Sequence, residues 1–176
     1  TLPTLWGARQ RFHDTYLSRF AGYYLTGDAG MRDADGYLWV MSRIDDVINV
    51  AGHRLSTGAL EEALATHAAV AECAVIGVAD ALKGEMPLGF VVLNAGAQVD
   101  RAELKAELLR TVREQVGAIA TPRDIVVVER LPKTRSGKIL RGTMRKIADQ
   151  REYRVPATIE DAAVLDEIRA ALQAGT

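Results

Sequence analysis

The chain has 176 residues, 48% of them hydrophobic and 26% charged, with 22 Lys+Arg against 23 Asp+Glu. That length suits about one domain of roughly 100–200 residues, and the composition excludes a disordered tail, a collagen or a coiled coil as the main description. A net charge of −1 speaks against a duplex-binding surface, no apolar run approaches the ~20 residues of a membrane helix, and no signal peptide is visible. The single cysteine, Cys73, cannot close an internal disulfide. A reducing, cytoplasmic setting is therefore expected, with neither nucleic acid nor membrane as a partner.

The first twenty residues, with Pro3 and Gly7, read as loop or short helix. Two β-prone runs, Tyr23–Leu25 and Tyr37–Met41, flank the turn signal Asp33-Ala34-Asp35-Gly36. Val47–Val50 is a short strand broken at Gly52. Ser56 or Thr57 caps a helix running to about His67, with Leu60 and Leu64 on one face. Cys73–Val78 and Phe90–Leu93 are apolar runs of strand length. Asp100, with Glu103 three residues on, predicts the start of an amphipathic helix whose stripe is Leu104, Leu108, Val112 and Val116 and which ends at Gly117. Ile125–Val128 is β-branched enough for a strand, Ile139–Ile147 can form a helix, and Thr158 caps a last helix beyond Pro156. The order predicts an α+β fold: a small domain with a three-stranded sheet and packed helices. Within it Cys73 reads as a small buried hydrophobe, and Trp6 and Trp39 as packing residues.

Three segments are richer in special residues than packing requires. In Tyr24-Leu25-Thr26-Gly27-Asp28 a strand ends and presents a carboxylate, which can accept two hydrogen bonds from a vicinal diol such as ribose or can form a simple Asx turn. In the run from Ser42 to Leu55, Arg43 and Arg54 flank Asp45 and Asp46. They form either a surface salt-bridge ladder or a polar junction for phosphate and sugar oxygens that Gly52 lets a ligand approach. In Leu131-Pro132-Lys133-Thr134-Arg135-Ser136-Gly137-Lys138-Ile139-Leu140-Arg141 a Ser-Gly step presents Lys138. It lies within a basic cluster that is either a solvated helix face or an anion site. The segment is not a P-loop, because Ile139 follows Gly137-Lys138 and Pro132 stands where that motif needs glycine. A lysine on such a loop suits a site that closes over an anionic transition state.

Together, TGD at 26–28, SRIDDVINVAGHRLS at 42–56 and LPKTRSGKILR at 131–141 resemble the motifs of the adenylate-forming, AMP-forming acyl-CoA synthetases. The acetyl- and propionyl-CoA synthetases are the most similar branch. The resemblance covers about residues 22–147 and implies that residues 1–44 are the last strands of a large amino-terminal domain that this chain lacks. It likewise implies that 45–150 are the complete carboxy-terminal lid and 151–176 a helical extension. It implies that Asp28 and Arg43 hold the ribose, Arg54 contacts the adenylate phosphate, Asp45 is the hinge, and Gly52 and Arg113 meet CoA. Lys138 is then the catalytic lysine of adenylation and a site of regulatory acetylation. His67 matches one position of a metal site in the acetate enzymes, although a helix-end role is the commoner one for such a residue. Ser42 and Ala51 depart from the family's usual glycine and serine and lean toward propionate. The implied substrates are a short carboxylic acid, ATP with Mg2+, and CoA. The implied partners are the enzyme's own amino-terminal domain and a protein lysine acetyltransferase or deacetylase. The chain alone is expected to form no adenylate. Two other readings remain compatible with the residues: the lid of an enzyme using a carrier-protein thiol, and a non-catalytic fragment that serves as an acetylation substrate.

Overall fold

The structure, a computed structural model, describes residues 3–174; of Met41, Ser42 and Asp45 it describes the backbone alone. The chain divides into two compact units, Thr1–Asp45 and Asp46–Thr176.

The first unit is organised by aromatic side chains. Helix α1 (Arg9–Tyr16) buries Phe12, and the rings of Tyr16 and Tyr24 stack with centroids 5.0 Å apart. This explains why Tyr23–Leu25 is not a strand: Tyr24 is committed to the stack, and Leu25 N donates to Tyr16 O at 2.8 Å, tying the run to the helix. The ladder starts later, at β1 (Asp28–Arg32), which pairs antiparallel with β2 (Leu38–Arg43) around the expected turn. There Gly36 N donates to Asp33 O at 3.1 Å, and Tyr37 N and Trp39 Nε1 each donate to the Asp33 carboxylate at 2.8 Å. Trp6, Met31, Leu38, Trp39 and Val40 are exposed, so the two tryptophans do not pack as the sequence suggests. Trp39 and its neighbours stand on a two-stranded sheet, which has no second layer to bury them against, and Trp6 lies in a turn before α1.

The second unit runs β3 (Val47–Val50), β4 (His53–Ser56), α2 (Thr57–Ala65), β5 (Val70–Asp80), β6 (Gly84–Leu93), α3 (Arg101–Gln115), β7 (Ile125–Val127), α4 (Arg141–Ala148), α5 (Val164–Ala174). The three expected strands are all in its sheet, β5 and β6 as an antiparallel hairpin and β7 parallel to β6 after the α3 crossover. The sheet has five strands rather than three, because the β3–β4 hairpin joins β6 through the pairing of Val50 with Gly84. That contact links residues far apart in the chain and leaves no local signature.

Helices cover both faces of this sheet. Ala74, Ile76, Val78, Leu88 and Phe90 pack with Met144, Leu165 and Ile168 on one side. Val75 and Val91 pack with Leu60, Leu64, Leu104, Leu108 and Val112 on the other. Double coverage is why the apolar runs are continuous rather than alternating. Asp100 Oδ1 caps α3 by accepting from Ala102 N and Glu103 N, each at 2.9 Å. Leu104, Leu108 and Val112 of its stripe are buried, each stabilising the fold by about 1.5–3 kcal/mol.

Two helices start later than the sequence suggests. Ile139 pairs with Lys133 across a turn, so α4 opens at Arg141. After Pro156 a turn is closed by Ile159 N donating to Pro156 O at 3.0 Å and Ile159 then bridges to Thr134, so α5 opens only at Val164.

Cys73 is half-buried, its Sγ donating to Glu61 O at 3.3 Å. Burial, and secondarily the negative charge of Glu61, pushes the thiol up to about 11. About one molecule in a thousand then carries a thiolate at pH 8. The expected result is slow modification by a thiol reagent in the native state and rapid modification after denaturation; stoichiometric labelling within the mixing time of native protein would contradict it.

Candidate functional site

The site residues of the first unit are set by one close approach. Gly27 has φ +81°, and a Cβ there would lie 2.8 Å from the Arg43 guanidinium. The absence of a side chain lets Arg43 fold back over the turn. Asp28 and Arg43 face each other in the β1–β2 register. Arg43 Nη1 donates to Thr26 O at 3.1 Å and to Asp28 Oδ1 at 3.3 Å, while Asp28 N donates to Thr26 Oγ1 at 3.2 Å. The TGD turn and the following arginine thus form one polar unit at the strand end, with both charged side chains accessible at 39% and 44%. The backbone passes from the first unit to the second at Asp45–Asp46; the side chains of Asp45 and Ser42 lie outside the described residues.

In the second unit, β3 and β4 are joined by the two-residue turn Ala51-Gly52, at φ +48° and +86°. Both signs are positive, as a type I′ hairpin turn requires. Gly52 adopts this freely, whereas Ala51 is strained by its Cβ. Replacing Ala51 by asparagine, which tolerates this conformation, is expected to raise stability by about 0.5 kcal/mol. Thermal unfolding checks it, and an unchanged or lower midpoint would refute the strain. The turn holds His53 and Arg54 out in solvent on β4.

Lys138 sits at the end of a tightly closed turn. Thr134 N donates to Lys138 O at 2.8 Å, Lys138 N donates to Thr134 Oγ1 at 3.1 Å, and Gly137, at φ +82°, donates to Thr134 O at 2.8 Å. Residues 135–138 are exposed, so the ammonium points from a backbone that is fixed while the side chain is accessible. Its basic neighbours are partly committed elsewhere. Lys133 pairs with Glu72 at 2.7 Å, Arg141 with Glu61 at 2.8 Å, and Arg145 with Glu85. The cluster is thus neither a uniformly solvated helix face nor a single anion site.

Arg113 is exposed in the last turn of α3. His67 is engaged at both ring nitrogens: Nε2 lies 3.0 Å from Glu107 Oε2, and Nδ1 accepts from Ala69 N at 3.2 Å. Among the described residues no three His, Cys, Asp or Glu side chains gather as a metal cluster.

Two features were not legible beforehand. Glu61 on α2 accepts from Arg141 Nε and Nη2 at 3.0 and 2.9 Å and from Val75 N at 2.8 Å, locking α2, β5 and the start of α4 together. Its sequence signal was only one of two adjacent carboxylates, Glu61 and Glu62, between the buried Leu60 and Leu64. Arg130 pairs with Asp161 and Glu167, both at 2.7 Å. Its guanidinium holds the Glu167 carboxyl below the usual range and adds to the same effect at Asp161, where the Ala163 N–H bond is the larger cause.

Residues 59–138 match the family described as AMP-binding enzyme C-terminal domain. An uncharacterized protein of Pseudomonas aeruginosa is 58% identical over 170 residues, which is 97% of this chain and 27% of that protein. Acyl-CoA synthetase short-chain family member B, mitochondrial, of Dictyostelium discoideum is 50% identical over 165 residues, 94% of this chain and 24% of that protein. The crystal structure of ATP-bound MatB from Rhodopseudomonas palustris superposes with a TM-score of 0.68 at 25% identity, covering 84% of this chain and 28% of that one. The chain therefore spans about a quarter of the length of the relatives it matches. Among its described residues no helix is long and apolar enough to cross a membrane. The chain thus belongs to the adenylate-forming, AMP-binding enzymes and carries their C-terminal domain.

Proposed function

We propose that this chain is the carboxy-terminal part of an AMP-forming short-chain acyl-CoA synthetase, which activates an acid of the acetate or propionate type as its adenylate and transfers the acyl group to CoA. The observation that carries the reading is Lys138, an accessible ammonium on a backbone-locked turn in a chain of this family. Residues 1–44 belong to the amino-terminal domain, 45–150 are the lid, and 151–176 its extension. The exposed Met31, Leu38 and Val40 support a first unit that continues into a larger domain.

In the first half-reaction, a carboxylate oxygen attacks the α-phosphate of MgATP and pyrophosphate leaves. Negative charge gathers on the carboxylate and phosphate oxygens, and the Lys138 ammonium between them stabilises it and fixes their approach. Asp28 accepts from the ribose hydroxyls, with Arg43 beside it as the second ribose contact and as the group that orients its carboxylate. Arg54 meets the adenylate phosphate. The lid then turns about Asp45, Lys138 withdraws, and the Gly52 turn comes to the CoA thiol, whose sulfur displaces AMP from the acyl carbon, with Arg113 toward the CoA phosphates. Acetylation of the accessible Lys138 removes its charge and is expected to stop the first step alone. The single cysteine supports a reducing compartment such as the cytoplasm, while the Dictyostelium relative is named mitochondrial.

The test is acid-dependent release of AMP and pyrophosphate by a whole synthetase carrying this chain, with acetate, propionate and butyrate in turn. Turnover confined to the two shorter acids is the expected result. The 176-residue chain alone should release none, and appreciable AMP from it would overturn the division of labour.

A further inference from the structure

The turn that presents Lys138 has little core of its own, since Arg135, Ser136 and Gly137 are exposed. Its outer strand is instead paired from the far end of the chain. Arg135 N donates to Thr158 O at 3.0 Å, Glu160 N donates to Lys133 O at 2.9 Å, and Thr134 bridges Ile159. With the Lys133–Ile139 bridge on its inner side, the Lys133–Arg135 stretch lies between two single bridges, a minimal ladder whose outer strand is residues 158–160. That outer strand is anchored twice. Ile159, Val164, Leu165 and Ile168 are buried in the cluster that also holds Leu131 and Met144, at the foot of the turn and on the helix after it. Arg130, one residue before Leu131, grips Asp161 through Nη1 and Glu167 through Nε and Nη2. None of this segment lies within residues 59–138, the stretch that matches the family domain.

We infer that residues 156–174 are a brace that holds the Lys138 turn in its working position for adenylation, with Arg130 as the positioning residue that clamps the brace. The inference rests on the reading of Lys138 given above. It follows from a simple balance. Pinned only at its inner side, an exposed turn samples many positions of its tip. The two main-chain hydrogen bonds of the bridge to an anchored segment remove most of that freedom before substrate arrives. Misplacing a catalytic group by about 1 Å can cost on the order of 10² in rate.

Three variants test it in a whole synthetase carrying this chain. Arg130→Ala releases Asp161 and Glu167, Arg130→Lys keeps the charge, and Glu160→Pro removes the donor to Lys133 O. Arg130→Ala and Glu160→Pro are each expected to slow acid-dependent pyrophosphate release about tenfold at saturating ATP and acid. Thioester formation from supplied acyl-adenylate should stay at the parent rate, and Arg130→Lys should recover most of the loss. In the 176-residue chain, the Arg135 and Glu160 amides should be protected from hydrogen exchange; Arg130→Ala should strip that protection from both, and Glu160→Pro from Arg135. Arg130→Ala alters only exposed groups, so it stands alone should Glu160→Pro not fold. Equal slowing of both half-reactions would reduce the segment to general stability and overturn the inference, as would lost protection with adenylation intact. Unchanged adenylation in Lys138→Ala removes the reading of the lysine, and with it any catalytic purpose for the brace, while the exchange data would still report the ladder itself.

Discussion

Lys138→Ala in a whole synthetase is expected to lower acid-dependent AMP formation by about 10²–10³, equivalent to roughly 2.7–4 kcal/mol for one lost donor to developing charge. The protein should fold as before, because the side chain is exposed and the turn is closed through the Lys138 backbone N and O and through Thr134, which the substitution leaves in place. Thioester formation from supplied acyl-adenylate should be retained, since the proposed second step brings the Gly52 face to the acyl carbon and leaves the lysine outside. Lys138→Arg keeps the charge but replaces a compact ammonium by a planar fork, and only a small recovery is expected from it. Parallel loss of both steps would make the lysine structural. Unchanged adenylation would mean that the role has been placed on the wrong residue.

Glu61→Ala should have the largest effect on stability. One carboxylate serves three donors there: Arg141 Nε, Arg141 Nη2 and Val75 N, at 3.0, 2.9 and 2.8 Å. The side chains of Arg141 and Glu61 are only 24% and 18% exposed. Removing the acceptor leaves a guanidinium and a backbone N–H without their partner in a largely dry place, at a cost of about 3 kcal/mol. For a chain of this size that is a fall in melting temperature of about 10 °C. Glu61→Leu combined with Arg141→Met should cost less than the sum of the two single changes, because no charge is then stranded. A melting temperature within about 2 °C of the parent for Glu61→Ala would show the pair to be screened like any surface pair. The position matters beyond stability. Arg141 opens α4 three residues after Lys138, and α2 follows directly on β4, which bears Arg54. The pair therefore ties the helix that follows the lysine turn to the helix that follows the Arg54 hairpin.

Much of the framework was legible in the chain because its signals are local. The Asp33–Gly36 turn, the Asp100 cap, the α3 stripe and the break at Ala51-Gly52 are each written within a few residues, where backbone freedom and side-chain periodicity decide the outcome. The three segments that proved to be compact polar turns and hairpins were conspicuous for the same reason. Other features were settled only by tertiary structure. Tyr23–Leu25 reads as a strand by composition, but stacking of Tyr24 on Tyr16 outweighs that propensity. The late starts of α4 and α5 follow from pairing between Lys133, Ile139 and the distant 158–160 segment, which replaces helical hydrogen bonds at those positions. Glu61 finds Arg141 80 residues away, and Arg130 finds Glu167 37 residues away. The sequence by itself determined which residues are proposed to carry the chemistry and the local turns that present them. Only the fold decided which charges are spent on holding the lysine turn in place, because a long-range ion pair depends on where two buried surfaces meet, and no short stretch of chain records that.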